Sequence, residues 1–260
     1  MGRSNSASYD GAVASVAFAT ALSRVAGFFR DSVMFALLGM SPWSGAFLFA
    51  FTVPNLFRRM LGEGALSSAM IPIFTETLET RSREDAFAFL NRLLTRLGAL
   101  IFVLCAVFLL LFVIMHKALS PSWLRALALS AILCPYLAFA CLSAAICGAL
   151  NSLGSFGLPA LNAALLNGAM IVFGVVGLLL CPSGGATAAL LLCGGVLLGG
   201  LCQLALPFWL LMRSGWRFHF DWSSSQLLAK MMALLIPAAV GAAMVQINAT
   251  LSRILAFWLT

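Results

Sequence analysis

The 260-residue chain is 62% hydrophobic and only 9% charged, with a mean hydropathy of +1.05 and a formal net charge of +7. A soluble domain carries roughly 25% charged residues, so the composition excludes an ordinary soluble enzyme and leaves no basic soluble domain to bind nucleic acid. Apolar runs longer than about 18 residues recur, and in hydrocarbon each must satisfy its own backbone hydrogen bonds. The expected fold class is therefore all-α: a polytopic α-helical membrane protein.

In chain order the runs predict about seven transmembrane helices. They are Ala12 to Leu38; Ala46 to Phe74, interrupted at Pro54; Ala86 to Ile114; Trp123 to Leu150; Leu158 to Leu180; Ala186 to Met212; and Leu227 to Leu259. Several exceed the ~20 residues that a crossing needs, which implies tilt, kinks or projection from the bilayer. Met1 to Asp10 is polar, and no cleavable signal is expected ahead of the first run.

Lys and Arg orient the chain. Arg3, Arg81, Arg83, Arg92, Arg213, Arg217 and Lys230 fall on one side, and Lys117 and Arg125 on the other. The first side is expected to be cytoplasmic, which puts the N-terminus inside. The longest polar connection, Ser214 to Ser225, carries Trp216, Phe218, His219, Phe220 and Trp222, which read as an interfacial aromatic belt. His219 and His116 read as surface residues rather than ligands. The seven cysteines include no C-x-x-C pair and read as small hydrophobes.

The informative stretch is Ser23 to Glu76, where ionisable groups sit inside or beside apolar runs. A charge in a bilayer costs at least ~2.5–3.5 kcal/mol, so it needs a partner or a polar cavity. Arg24 and Asp31 are seven residues apart and fall on nearly one helical face, with Arg30 well round the cylinder. Two readings stand side by side: an Arg–Asp pair that only holds helices together, or a surplus of positive charge aimed at an anionic ligand. Arg24, Arg30, Arg58 and Arg59 against Asp31 and Glu63 favour the surplus. Arg58 and Arg59 also fit anchors that snorkel to the interface. Pro54 should kink its helix, and Thr52, Asn55 and Arg59 form one polar stripe at spacings of three and four. Gly98, Gly148, Gly168 and Gly174 fit close helix packing or flexibility. Gln246 and Asn248 either line a cavity or bond across helices. No metalloprotease, nucleophile-elbow, Walker or acidic-cluster motif is present, so no catalytic residue and no metal ligand is assigned, and the chain is not expected to be an enzyme.

The motifs S-R-x-x-G-F-x-R-D from Ser23, P-N-L-x-R-R from Pro54, E-G-A-x-S-x-A from Glu63 and P-x-F-x-E from Pro72 resemble the N-terminal signature of the MviN/MurJ family. The likeness continues through Pro135-Tyr136, Gly148 to Asn151, Pro159-Ala160, Asn167 and Gln246 to Asn248. It implies the N-terminal lobe of a two-lobed exporter over residues 1–212, with 213–260 a connecting segment and the first helix of a second lobe. The implied function is a lipid II flippase of the bacterial cytoplasmic (inner) membrane. It would move the undecaprenyl-diphosphate-linked peptidoglycan precursor from the inner to the outer leaflet by alternating access. By the same resemblance Arg24, Arg30 and Arg58 are cavity arginines accompanied by Arg59, Asp31 and Glu63; all four arginines are expected to bind the head group, with Asp31, Glu63, Thr52, Asn55, Gln246 and Asn248 as supporting polar or charged residues. No cofactor is implied beyond coupling to membrane potential or a monovalent cation. The implied partners are lipid II or a related lipid-linked oligosaccharide, membrane lipids, and a second-lobe polypeptide or a second copy.

Two positions depart from the pattern. Gly45 stands where the family commonly has an acidic residue, and a basic residue common near Thr52 is missing. The other readings are a drug–cation antiporter or polysaccharide-lipid flippase of the same superfamily, and an inactive half that scaffolds cell-wall enzymes.

Overall fold

The computed structural model describes residues 3–57, 66–155, 157–238, 240–241 and 244. Its elements are α1 (Arg3–Leu38), α2 (Pro42–Phe57), α3 (Leu66–Thr80), α4 (Arg83–Met115), α5 (Pro121–Ser152), α6 (Gly157–Leu180) and α7 (Ala186–Arg213). A further helix, α8, covers Gln226–Ala238, and a short 3₁₀ turn, His116–Ala118, follows α4. The described residues contain no strand, as the composition predicts. By length and apolarity alone, helices within α4, α5, α6 and α7 are able to cross a membrane.

Local chemistry sets the ends. Ser82 caps α4: its hydroxyl accepts from the Asp85 amide at 3.0 Å and donates to the Asp85 carboxylate at 2.9 Å. The two acidic residues of the first turn, Glu84 and Asp85, complement the positive end of the helix dipole. Pro121 opens α5, where its missing N–H is no loss. Between α6 and α7, Gly184 has φ +67°, and a Cβ there would lie 2.9 Å from the Leu37 carbonyl oxygen, so the turn needs glycine both for its backbone and for its space.

Two of the expected runs differ in the structure. The first helix is already formed at Arg3. The second run is two helices, and the helix passes through Pro54 to Phe57 rather than stopping at the proline. A proline inside a helix removes one hydrogen bond and crowds the preceding turn. Here Pro54, Ala50 and Phe51 are buried while Thr52 is exposed, so one face of the turn is packed against the bundle and holds the helix. Both α2 and α3 pack on α5, but at opposite ends: Phe47 and Phe51 share a core with Leu133 and Tyr136, whereas Met70 and Phe74 share one with Ile146 and Leu150. Together the two helices run the length of α5.

Two apolar clusters result, one at each end of the bundle. The first joins the end of α1, α2, α5, α6 and the start of α7. The second joins α3, the start of α4, the end of α5, the end of α7 and α8. Lipid tails are as apolar as leucine, so helices associate in a bilayer through close packing and polar bonds rather than through burial from water. Gly174 shows the packing term. A Cβ there would sit 2.4 Å from Val33 Cγ1, so α6 touches α1 at van der Waals distance only because the side chain is absent; Gly168 has open space. The outer half of α4, from Leu100 to Met115, leaves most of its large apolar side chains exposed, as a lipid-facing surface does.

A strap connects α7 to α8. Gly215, at φ +93°, turns the chain out of α7, and residues 216–223 then run along the first turns of α4. Trp216 is fully buried, and its indole N–H donates to Asn91 Oδ1 at 3.0 Å. The Asn91 amide nitrogen donates to the Arg217 carbonyl at 3.0 Å and meets His219 Nδ1 at 2.9 Å. Arg92 donates to Asp221 Oδ2 at 2.9 Å and to Ser223 Oγ at 2.8 Å. The Asp221 amide donates to Thr95 Oγ1 at 3.1 Å. This corrects the aromatic-belt reading for Trp216, which is a core residue because Asn91 gives its N–H a partner inside the fold. Phe220 and Trp222 remain exposed, as a belt requires, and His219 lies at the surface.

Hydrogen bonds from the Ser223 hydroxyl and amide, helped by Arg92, hold the Asp221 carboxyl below the usual carboxylate range, against the opposing effect of desolvation. A carboxyl depressed in the folded state stabilises that state above its unfolded value, near pH 4, and the contribution is lost as pH falls through the folded value. Lowering pH from about 5 to about 2 should therefore loosen the strap, seen as a change in Trp216 emission in detergent. Asp221→Asn should lower the thermal midpoint at neutral pH and flatten that acid dependence; an unchanged acid profile in this variant would assign the transition to other carboxyls.

Candidate functional site

The structure pairs Arg30, not Arg24, with Asp31. The Arg30 Nε and Nη2 atoms donate to Asp31 Oδ1 at 2.9 and 2.8 Å. Its Nη1 donates to Asn167 Oδ1 on α6 at 2.9 Å, and its guanidinium carbon lies 5.9 Å from the Phe51 ring centre on α2. Asn167 in turn donates to the Ser23 carbonyl at 3.0 Å. One guanidinium thus joins α1, α2 and α6. Only a planar group with several fixed donors can meet a carboxylate and an amide oxygen in different directions at once. The shared helical face of Arg24 and Asp31 does not decide the pairing, because the long Arg30 side chain reaches along the helix to its neighbour.

Arg30 is 21% exposed and Asp31 51%, so the pair is accessible from the open side of α1. Arg24, one and a half turns earlier, is exposed and makes no ion pair among the described residues. It is surrounded on α1 by exposed apolar side chains, Phe18, Leu22, Val25 and Phe28. Among the described residues, Arg30 is thus the centre of a neutralised pair that ties helices together, and Arg24 makes no ion pair.

On α2, Thr52 is exposed and its hydroxyl donates to the Leu48 carbonyl at 2.6 Å, while Asn55 is half-buried. Arg58, Arg59, Glu63, Gln246 and Asn248 lie outside the described residues. Three polar groupings escaped the sequence reading as structural or site-forming features. Asn167 was noted only as part of a resemblance, although an amide inside an otherwise apolar run signals a bond across helices. The row Asn91, Arg92, Thr95 and Arg96 has the i, i+1, i+4, i+5 spacing of one polar helix face, and it receives the strap. Deeper in the bundle, Asn162 donates to the Ser143 hydroxyl at 2.7 Å. That hydroxyl donates to the Gln203 carbonyl at 2.6 Å, and the Gln203 amide donates to the Asn162 carbonyl at 2.8 Å. This closed set links α5, α6 and α7.

The bundle and its charged helix define a class first: a helical membrane protein with the fold of MOP-superfamily transporters. A multidrug-resistance MATE family transporter of that superfamily, in an outward-facing conformation, superposes with a TM-score of 0.68 at 16% identity over 92% of this chain and 54% of its own. A structure of the lipid II flippase MurJ in an inward closed conformation gives a TM-score of 0.71 at 25% identity, over 90% of this chain and 48% of that one. The model of the family "Lipid II flippase MurJ" matches residues 34–260, and the chain belongs to that family. Among its relatives, a probable lipid II flippase MurJ of Bdellovibrio bacteriovorus is 38% identical over 74% of this chain and 37% of its own length. One from Rhizobium meliloti is 31% identical over 90% and 45%. The chain spans less than half the length of these two curated relatives.

Asn167→Leu keeps the approximate volume but removes the acceptor for Arg30 and the donor to the Ser23 carbonyl. A hydrogen bond to a charged group is worth about 1.5–3 kcal/mol. The expected result is a clear fall in thermal midpoint in detergent and faster proteolysis of α1. An unchanged midpoint would mean that Arg30 needs no partner on α6.

Proposed function

We propose that the chain forms the first lobe of a lipid II flippase and supplies the cationic half of a cavity that passes the diphosphate–sugar head group across the bilayer while the lipid tail stays in the membrane. The observation that carries this reading is Arg30, anchored between Asp31 and Asn167, with Arg24 exposed on the same helix and without an ion pair among the described residues, in a chain of this family. Arginine suits a diphosphate because its fork donates bidentate hydrogen bonds and stays charged. Arg58 and Arg59 extend the same role, and Asp31, Thr52, Asn55, Glu63, Gln246 and Asn248 support it. The cycle is alternating access coupled to membrane potential or a monovalent cation, and no covalent bond is made or broken. A second lobe, on the same or another polypeptide, covers the α1 face.

The lobe sits in the bacterial cytoplasmic membrane with its N-terminus inside. Supporting this, Arg81, Arg83, Arg92, Arg96, Arg213, Arg217 and Lys230 all belong to the α3–α4 and α7–α8 end, where Arg83 donates to the Ser214 carbonyl at 2.8 Å and Lys230 pairs with Glu76 at 2.7 Å. Lys117 and Arg125 are at the opposite end, with Arg125 over the Trp43 ring. The positive-inside rule then makes the first end cytoplasmic.

In a two-lobed context Arg30→Ala should abolish the appearance of lipid II in the outer leaflet while the protein stays in the membrane. Arg30→Lys should restore little, because a point charge cannot hold both Asp31 and Asn167. Full transport by the alanine variant would remove Arg30 from the substrate path. For orientation, a cysteine at Glu84 should react with an impermeant thiol reagent only from the cytoplasm, and one at Ser183 only from outside. The reverse labelling would invert the topology.

A further inference from the structure

A groove of about 430 Å³ lies between α4, α5, α7 and the strap, away from α1 and its arginines. Its floor is Gly98, Leu142, Ile146 and Leu204, and its mouth is Phe102 and Phe220, both largely exposed. Thr95 and Trp222 are the lining residues with a polar side-chain atom; the Thr95 hydroxyl is occupied, donating to the Asn91 carbonyl and accepting from the Asp221 amide, and Trp222 offers only its indole N–H. A sugar, a phosphate or a peptide backbone entering the groove would lose its several hydrogen bonds with water and regain one at most, which is unfavourable in an apolar setting. An alkyl chain loses nothing.

The groove sits at a particular depth. Counting about 20 residues back from Met115, the length of α4 that spans the hydrocarbon, reaches Arg96. Phe102 is therefore within the acyl region, and Arg92 and Arg96 are at the head-group boundary. The charges there are unequal. Arg92 is neutralised by Asp221 at 2.9 Å. Arg96 makes no ion pair with a described carboxylate: its Nη2 donates to the Trp222 and Ser223 carbonyls at 3.2 and 2.9 Å, and its Nη1 has no acceptor. Trp222, held by Arg96 through its carbonyl, also lines the groove. A net positive charge therefore stands at the head-group end of an apolar slot that opens to the bilayer. Basic residues at the membrane boundary attract anionic lipid head groups.

We propose that this groove binds one acyl chain of a resident anionic glycerophospholipid, with the head group at the Arg92–Arg96 end of α4 and the chain running towards Phe102. This lipid is not the transported molecule, and the proposal is independent of the α1 arginines.

The test uses the 260-residue chain in phosphatidylcholine nanodiscs doped with phosphatidylglycerol or phosphatidylcholine carrying a photoactivatable acyl chain, with cross-links mapped by mass spectrometry. The expected result is phosphatidylglycerol cross-linking concentrated on 94–102 and 218–222 above the level on 109–115, saturable by unlabelled phosphatidylglycerol. Gly98→Leu fills the floor; a Cβ at Gly98 meets only Leu142, at 4.0 Å, so the backbone has room for it. That variant should cut groove cross-linking about tenfold, equivalent to displacing roughly two methylenes, and leave 109–115 unchanged. Arg96→Gln should abolish the preference for phosphatidylglycerol over phosphatidylcholine. Uniform labelling along α4, no preference in the unmodified chain, or no lipid cross-link because polypeptide fills the groove would each overturn the proposal. Should Gly98→Leu not fold, saturation by phosphatidylglycerol and not by phosphatidylcholine in the unmodified chain decides the question, and non-saturable labelling rejects it.

Discussion

The lobe depends on how it keeps a guanidinium inside an apolar bundle. Arg30 is tolerable because every side of its fork has something to do: Asp31 cancels its charge, Asn167 takes the remaining donor, and Phe51 presents a ring. Hydrogen bonds to a charged group are stronger than those between neutral groups, so the Arg30–Asn167 bond fixes the placement of α1 on α6 more strictly than apolar packing alone could. The small residues on α6 agree with that placement. Gly174 lets α6 approach Val33, and Gly177 leaves room for Leu37. The charge sets the register and the glycines set the distance.

The same logic repeats at two other levels of the bundle. In mid-bundle, Ser143, Asn162 and Gln203 bond to one another across α5, α6 and α7. At the basic end, Asn91 and Arg92 hold the strap. In hydrocarbon no water competes for such groups, and separating them leaves donors and acceptors unmet. The individual bonds are modest, about 0.6 kcal/mol on average in a membrane. What they supply is specificity: Leu-on-Leu contacts slide easily, and amide pairs do not.

Much of this was legible from the chain. Helices α4 to α7 fall within a few residues of the apolar runs that announce them, because uninterrupted hydrophobicity and Ser-Arg-Glu-Asp, Ser-Pro and Ser-Gly-Gly punctuation are local signals. What was not legible is what depends on distant partners. Trp216 looks interfacial until Asn91, more than a hundred residues away, is found against it. Pro54 reads as an interruption until the burial of Pro54, Ala50 and Phe51 is known. The family motifs drew attention to α1, and the geometry shows that the carboxylate of Asp31 is taken by Arg30. Arg58, Arg59, Glu63, Gln246 and Asn248 were read from the motifs or from the sequence and lie outside the described residues.

The two arginines of α1 differ in depth, and depth explains their different treatment. Taking Leu38 as the outer boundary, a rise of about 1.5 Å per residue puts Arg30 roughly 12 Å in and Arg24 roughly 21 Å in, within a hydrocarbon core about 30 Å thick. Arg30 is therefore close to the midplane, where an unneutralised charge costs most, and it is the one given a carboxylate and an amide. Arg24 is nearer the basic end and is left without a described ion-pair partner. A long side chain there can lean towards the boundary, but its neighbours Leu22, Val25 and Phe28 are apolar and exposed. Hydrocarbon is thus a poor medium for Arg24, and a polar cavity is a good one. Along one helix the chain places first a positive charge without an ion pair among the described residues, then a neutralised, rigidly held one about 9 Å further along. An anion drawn in from the basic end would meet the first charge before reaching the donors that have to be shared.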